Sequence, residues 1–94
     1  MKMKLTNGQE VEMKINFKAL LELKNREPDA FEKGNHVIMD GTREVEDIVG
    51  GLYAAYVCAN KNHLPYEEFL EVLPFDLKEI TKTFNGLYMQ DAKK

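Results

Sequence analysis

From Val45 to Asn60 the chain reads Val-Glu-Asp-Ile-Val-Gly-Gly-Leu-Tyr-Ala-Ala-Tyr-Val-Cys-Ala-Asn, with no charged residue between Gly50 and Ala59. Val45, Ile48, Val49, Leu52, Tyr56 and Ala59 recur at intervals of three or four, the period of one helical face. Glu44, Glu46 and Asp47 load the first turns with the charge a helix N-terminus favours. The spacing predicts a helix over about 43–60, starting at Thr42 or Arg43. Tyr53 and Val57 widen its apolar surface beyond one stripe, so this helix needs partners on more than one side. Gly50 and Gly51 each cost about 1 kcal/mol relative to alanine in a helix interior. They mark either a close approach by another element or a kink.

The elements that cover this helix are sought on both sides of it. At the N-terminal end, residues 1–15 read as a β-hairpin: Met1, Met3 and Leu5 alternate with Lys2, Lys4 and Thr6, and Val11, Met13 and Ile15 alternate with Glu10, Glu12 and Lys14. A two-residue Asn7-Gly8 loop would pair Leu5 with Glu10 and place carboxylates on the apolar face. A three-residue loop, Thr6-Asn7-Gly8, pairs Met3 with Val11, Lys4 with Glu10 and Lys2 with Glu12, which separates the faces and matches the charges. Gly8 then takes the left-handed position. Asn16 is placed to cap a helix over 17–26, with Phe17, Leu20, Leu21 and Lys24 along one stripe flanked by Leu23. Pro28 disfavours helix at Glu27 and ends it. In 28–41, Asp29 to Lys33 reads as a short helical turn closed by Gly34 or Asn35. His36 to Met39 reads as a short strand or an ordered loop ended by Asp40-Gly41.

On the C-terminal side, Pro65 opens a short helix over 65–72 that turns Tyr66, Phe69 and Leu70 inward. Pro74 breaks the chain. Asp76 and Glu79 have capping-box spacing for a last helix over 76–90, carrying Leu77, Ile80, Phe84, Leu87 and Tyr88, with Gly86 as its weak point. The tail from Gln90 to Lys94 is expected to fray. The fold class is α+β: one domain, 1–94, with an N-terminal hairpin packed on a bundle of three main helices plus one short helix.

Composition narrows the function classes. The 94 residues hold 13 basic and 16 acidic side chains, a formal net charge of -3, and the signs are mixed along the chain. A nucleic-acid binder would carry a basic face, and the last helix offers only Lys78 and Lys82 beside Glu79. The single cysteine, Cys58, makes no internal disulfide, so a cytoplasmic setting is expected. There is no apolar run near the ~20 residues that span a bilayer.

Candidate chemistry is sparse. No two of His36, His63 and Cys58 fall at i, i+3 or i+4, so a zinc site is not expected. Cys58 lies in the apolar helix with His63 beyond its end, which favours a structural thiol over a nucleophile. Gly50-Gly51 lies inside a helix and makes no phosphate-binding loop. Glu44, Glu46 and Asp47 lack the alternating ligands of a calcium loop, and Glu67, Glu68 and Glu71 read as a solvated face. No catalytic group, cofactor or metal is expected. What remains is surface: the tyrosines together with Phe31, Phe69, Phe75 and Met89 are more large apolar groups than a small core holds, which favours a protein-binding or assembly role.

The chain resembles tail assembly chaperones of long-tailed phages infecting Gram-positive bacteria. The resemblance rests on the short two-stranded opening leading into Ile15-Asn16-Phe17-Lys18-Ala19-Leu20-Leu21-Glu22-Leu23, on Val45 to Tyr56, and on Leu64-Pro65-Tyr66-Glu67-Glu68-Phe69-Leu70-Glu71. It covers nearly the whole chain, except that 28–41 matches no feature of the family, and its motifs are hydrophobic patterns. It implies a small cytoplasmic phage or prophage protein that binds the tape-measure protein and keeps it soluble while tail tube subunits polymerise. Such proteins are often made in two forms by ribosomal frameshift, with which Lys93-Lys94 is compatible. Tyr53 and Val57, off the main stripe, are the candidates for contact with a partner or with a second copy, provided the hairpin leaves them open. The competing reading is a small regulatory or anti-defence protein of a mobile element that binds one folded target.

Overall fold

A computed structural model of the chain describes residues 1–89. It contains one two-stranded antiparallel sheet, β1 (Lys2–Lys4) and β2 (Glu10–Glu12), and five helices: α1 (Phe17–Arg26), α2 (Pro28–Asp40), α3 (Val45–Ala59), α4 (Tyr66–Val72) and α5 (Leu77–Tyr88). The arrangement is broadly α+β. The expected end of the last helix at 90 and the fraying tail lie outside the described residues.

The hairpin register is the one that charge and apolar alternation demand. Lys2 faces Glu12, Met3 faces Val11 and Lys4 faces Glu10. Leu5 N–H donates to Gln9 O at 2.8 Å and Gly8 N–H to Leu5 O at 3.0 Å, closing a three-residue loop. Gly8 has φ +90°, the left-handed conformation that favours glycine there. Met3, Leu5, Val11 and Met13 are all buried. The loop is tied to the helices by Thr6 N–H, which donates to Val72 O at 2.7 Å.

α3 is the axis of the molecule and touches α1, α2, α4, α5 and β2. Every residue from Val49 to Val57 is buried, as an apolar surface wider than one stripe requires. Its N-terminus is a capping box, with Glu44 as N-cap and Asp47 returning a carboxylate oxygen to the Arg43 and Glu44 amides at 2.8 and 3.0 Å. The two glycines sit where other elements approach. A Cβ on Gly51 would lie 2.7 Å from the Phe84 ring of α5, and one on Gly50 would meet Lys33 of α2.

The sequence expectations need correction for one helix and for several helix faces. Residues 28–40 form one 13-residue helix, so there are five helices where four were expected. Pro28 opens α2 at its first position, where a missing N–H is harmless, and Glu27 alone joins α1 to α2. Gly34 does not stop the helix. It lets α2 pack closely, because a Cβ there would stand 2.9 Å from Leu20 Cδ1 and 3.1 Å from Ala54 Cβ. The stop is Gly41, at φ +79°, whose N–H donates to Val37 O at 2.9 Å.

The other corrections concern faces. α1 buries Ala19, Leu20 and Leu23 and leaves Phe17 and Leu21 exposed. In α4 Phe69 is fully buried and Tyr66 partly, while Leu70 is exposed; Leu77 of α5 and Val45 of α3 are exposed too. The remaining members of the α5 stripe, Ile80, Phe84 and Leu87, are buried together with Thr83.

Candidate binding groove

Tyr53 and Val57 are 6% and 0% exposed, so the condition for their partner role is not met. Tyr53 packs its ring against Tyr66 and Phe69, at 5.1 and 5.3 Å between centroids. Its hydroxyl donates to Leu64 O, and Leu64 N–H donates to the Tyr56 hydroxyl, both at 2.9 Å. The two hydroxyls on α3 therefore fasten the α3–α4 connection. Tyr53 and Val57 belong to the core.

The open apolar surface lies elsewhere, where three chain segments converge. The exit of the hairpin (Ile15, Asn16, Phe17), the end of α2 with its turn (Val37, Ile38, Gly41, Thr42) and the end of α5 (Phe84, Leu87, Tyr88, Met89) line a groove of about 570 Å³. Buried Val37, Phe84 and Leu87 supply its base. Its edges carry Phe17 (72% exposed), Ile38 (42%) and Met89 (68%). Local sequence explains each position. Asn16 caps α1 by accepting from Ala19 N–H at 2.8 Å, which places Phe17 at the first helical residue, outside the face that packs. Gly41 turns the chain immediately after Ile38 and Met39, and Met89 follows the last turn of α5.

The groove is chemically plain. Tyr88 is the one titratable side chain among the described residues that line it. The Tyr88 hydroxyl is committed to Gly51 O at 2.7 Å, and burial, with Cys58 nearby, pushes its pKa up. The Asn16 carboxamide oxygen is used by the cap. A surface lined mainly by apolar side chains removes apolar groups from water, a contribution of roughly 25 cal/mol per Å² of buried apolar area.

A second, polar recess of about 300 Å³ is bounded by Glu32, Lys33, His36, Glu46, Asp47, Gly50 and Tyr66. Some of its charges are partnered: His36 Nε2 lies 3.1 Å from Asp47 Oδ1, and the Lys33 ammonium stands 4.2 Å from the Tyr66 ring centroid. Among the described residues no group of three or more His, Cys, Asp and Glu side chains is placed to hold a metal ion. Cys58 is partly buried, and burial pushes its thiol up to about 11, well away from the range of a reactive thiolate. No helix among the described residues is long and apolar enough to cross a membrane.

Sequence reasoning placed Phe17 on the inward stripe and Ile38 in a short strand or ordered loop, whereas Ile38 lies in α2. One signal was present: Phe17 is the first residue after the cap, and Ala19, Leu20 and Leu23 make a sufficient packing face without it. Compared with protein-family models, with characterised proteins and with solved structures, the chain matches none.

Proposed function

We propose that this chain is a protein-binding module without catalytic chemistry, and that its groove takes apolar side chains of a client. The observation that carries this reading is the convergence of exposed Phe17, Ile38 and Met89 around one apolar recess. Contiguous exposed apolar surface of this kind marks interaction sites. The client is a phage tape-measure protein, kept soluble while tail tube subunits assemble. The hairpin, the Ile15 to Leu23 segment and the Leu64 to Glu71 segment support this choice by their resemblance to tail assembly chaperones, and Phe17 falls inside the first of the quoted segments. An acidic chain with mixed surface charge suits the role, because it keeps a chaperone–client complex dispersed.

The test is co-expression of the tagged chain with the tape-measure protein of its own genome, followed by capture and quantitation of both. Several copies per client, with the client soluble only in their presence, is the expected result. A Phe17→Ser/Ile38→Ser variant should stay folded and lose capture. No capture by the native chain overturns the chaperone reading, and one copy bound to one folded target favours the regulatory alternative.

A further inference from the structure

Phe75 stands in the short connection between α4 and α5 and is fully exposed, at 107%. The chain on either side of it is held. Leu73 is buried, Pro74 has its φ fixed by the ring, and Asp76 caps α5 by accepting from Glu79 N–H at 3.2 Å. One exposed aromatic ring has no meaning by itself, but the charge around this one is one-sided. Glu67, Glu68, Glu71, Asp76 and Glu79 are all exposed between Glu67 and Glu79, against Lys78 alone, and Leu70 and Leu77 are exposed among them.

The groove has the opposite balance. Lys14, Lys18 and Arg43 are exposed and adjoin its lining residues Ile15, Phe17 and Thr42 in the chain. Asp40 is the one acidic chain neighbour of a lining residue, and it lies 3.0 Å from His36 Nδ1. In a chain of net charge -3, a basic surround is not what average composition would supply. The two surfaces belong to different ends of α5: Phe75 precedes its first turn, and Phe84, Leu87 and Tyr88 line the groove from its second half. The full exposure of Phe75 shows that it does not fill the groove of its own chain.

We propose that Phe75 of one copy enters the groove of a second copy, between Phe17, Ile38 and Met89, with its acidic flanks against Lys14, Lys18 and Arg43. A groove of about 570 Å³ falls among pockets of roughly 300–1,000 Å³ that enclose most of a small organic ligand, so it has room for a phenylalanine ring. Ring and groove are different surfaces, so the contact is heterologous. Each pair still offers one open groove and one open Phe75, and copies join head to tail. The opposite charges set the orientation and make the contact salt-sensitive. This inference rests on the reading of the groove as a docking surface and goes beyond it by naming a second copy as an occupant.

The test uses the purified chain without any client, so its failure leaves client capture standing. Sedimentation velocity at about 50 mM NaCl should show the weight-average coefficient rising between about 10 μM and 1 mM, past the value of a dimer, as a small heterologous contact requires. Association should weaken about threefold or more at about 500 mM NaCl. Phe75→Ser and Phe17→Ser/Ile38→Ser should each sediment as monomers with near-native unfolding midpoints, because the replaced side chains are exposed. Mixed together they should form a one-to-one pair and nothing larger, since one keeps the groove and the other keeps Phe75. Lys18→Glu/Arg43→Glu, which leaves every apolar side chain in place, should weaken association about tenfold. A native chain that stays monomeric, association that survives in Phe75→Ser, a mixture that stays monomeric, or indifference to the charge reversal overturns the proposal.

Discussion

Adjacent glycines in α3 should respond to the same substitution with opposite sign. On helix propensity alone, Gly50→Ala and Gly51→Ala each gain about 1 kcal/mol. At Gly50 the new methyl would stand 3.4 Å from Lys33 Cβ and 3.5 Å from its Cγ, close to ordinary contact, so most of that gain is kept. At Gly51 it would stand 2.7 Å from Phe84 Cε1 and 3.2 Å from Val37 Cγ2, inside the 3.5–4.0 Å typical of carbon–carbon contact. Phe84 has little room to retreat. Its ring stacks on Tyr88 at 4.7 Å, and Tyr88 is tethered back to the Gly51 carbonyl. Overpacking of this kind costs about 1–3 kcal/mol, which outweighs the propensity gain and leaves Gly51→Ala about 1 kcal/mol less stable than the native chain. Urea unfolding should show both midpoints displaced with an unchanged slope. Thermal midpoints of the two variants should differ by on the order of 10 °C in a domain of this size. A Gly51→Ala variant as stable as the native protein would show that Phe84 yields, and a destabilised Gly50→Ala would show that Lys33 does not.

Three further outcomes follow from the packing and the titrating groups. Tyr53→Ala with Val57→Ala should unfold the protein, since truncating a buried aromatic side chain costs about 3–5 kcal/mol on its own; a folded double mutant that loses its client would restore these residues as contacts. Asp47 is held below its ordinary carboxylate range by hydrogen bonds from the Arg43 and Glu44 amides and by His36. Its folded-state pKa is the lower one, so its contribution is present above the ordinary value of 3.8 and is lost as pH falls through the depressed one. Exchange protection of the Arg43 and Glu44 amides should collapse in that acid window, and protection retained there would refute the assignment. With its thiol pushed up to about 11, Cys58 should react with a disulfide reagent at pH 7.4 about a hundredfold more slowly than a free cysteine; unfolding in urea should restore the ordinary rate.

Legibility in the sequence followed the strength of local constraint. The hairpin was readable to the register because one slip moves every apolar residue to the wet face, and Met3 opposite Val11 with Lys4 opposite Glu10 is the pairing that avoids it. The ends of α1 and the start of α5 were readable because Asn16, Pro28 and Asp76 act on their immediate neighbours. α2 was not, although its buried residues Ala30, Gly34 and Val37 keep helical spacing. Two of the three are small, so their hydrophobic signal is weak, and Gly34 imitates a terminator. Only the approach of Leu20 and Ala54 shows why glycine is there. The faces of α1 and α4 failed for a related reason. A short apolar stripe does not say which of its residues the neighbours reach, and Phe17, Leu21 and Leu70 are left in water by the positions of other helices.

Exposed apolar side chains are common on folded proteins and carry no meaning one by one. Leu21, Leu70, Phe75 and Leu77 are exposed here without lining either recess. Phe17, Ile38 and Met89 differ because they come from three separated parts of the chain and border one apolar base. Incomplete core packing is the competing account, and stability separates the two. If the groove were an unfinished core, Phe17 would already contribute burial, and Phe17→Ser would cost the folded state a large part of a buried aromatic, about 3 kcal/mol or more. At 72% exposure it has little burial to lose, so the substitution should leave the unfolding midpoint near the native value. A large loss of stability in Phe17→Ser would place the groove with the core, and a folded variant deprived of its client would place it with the binding surface.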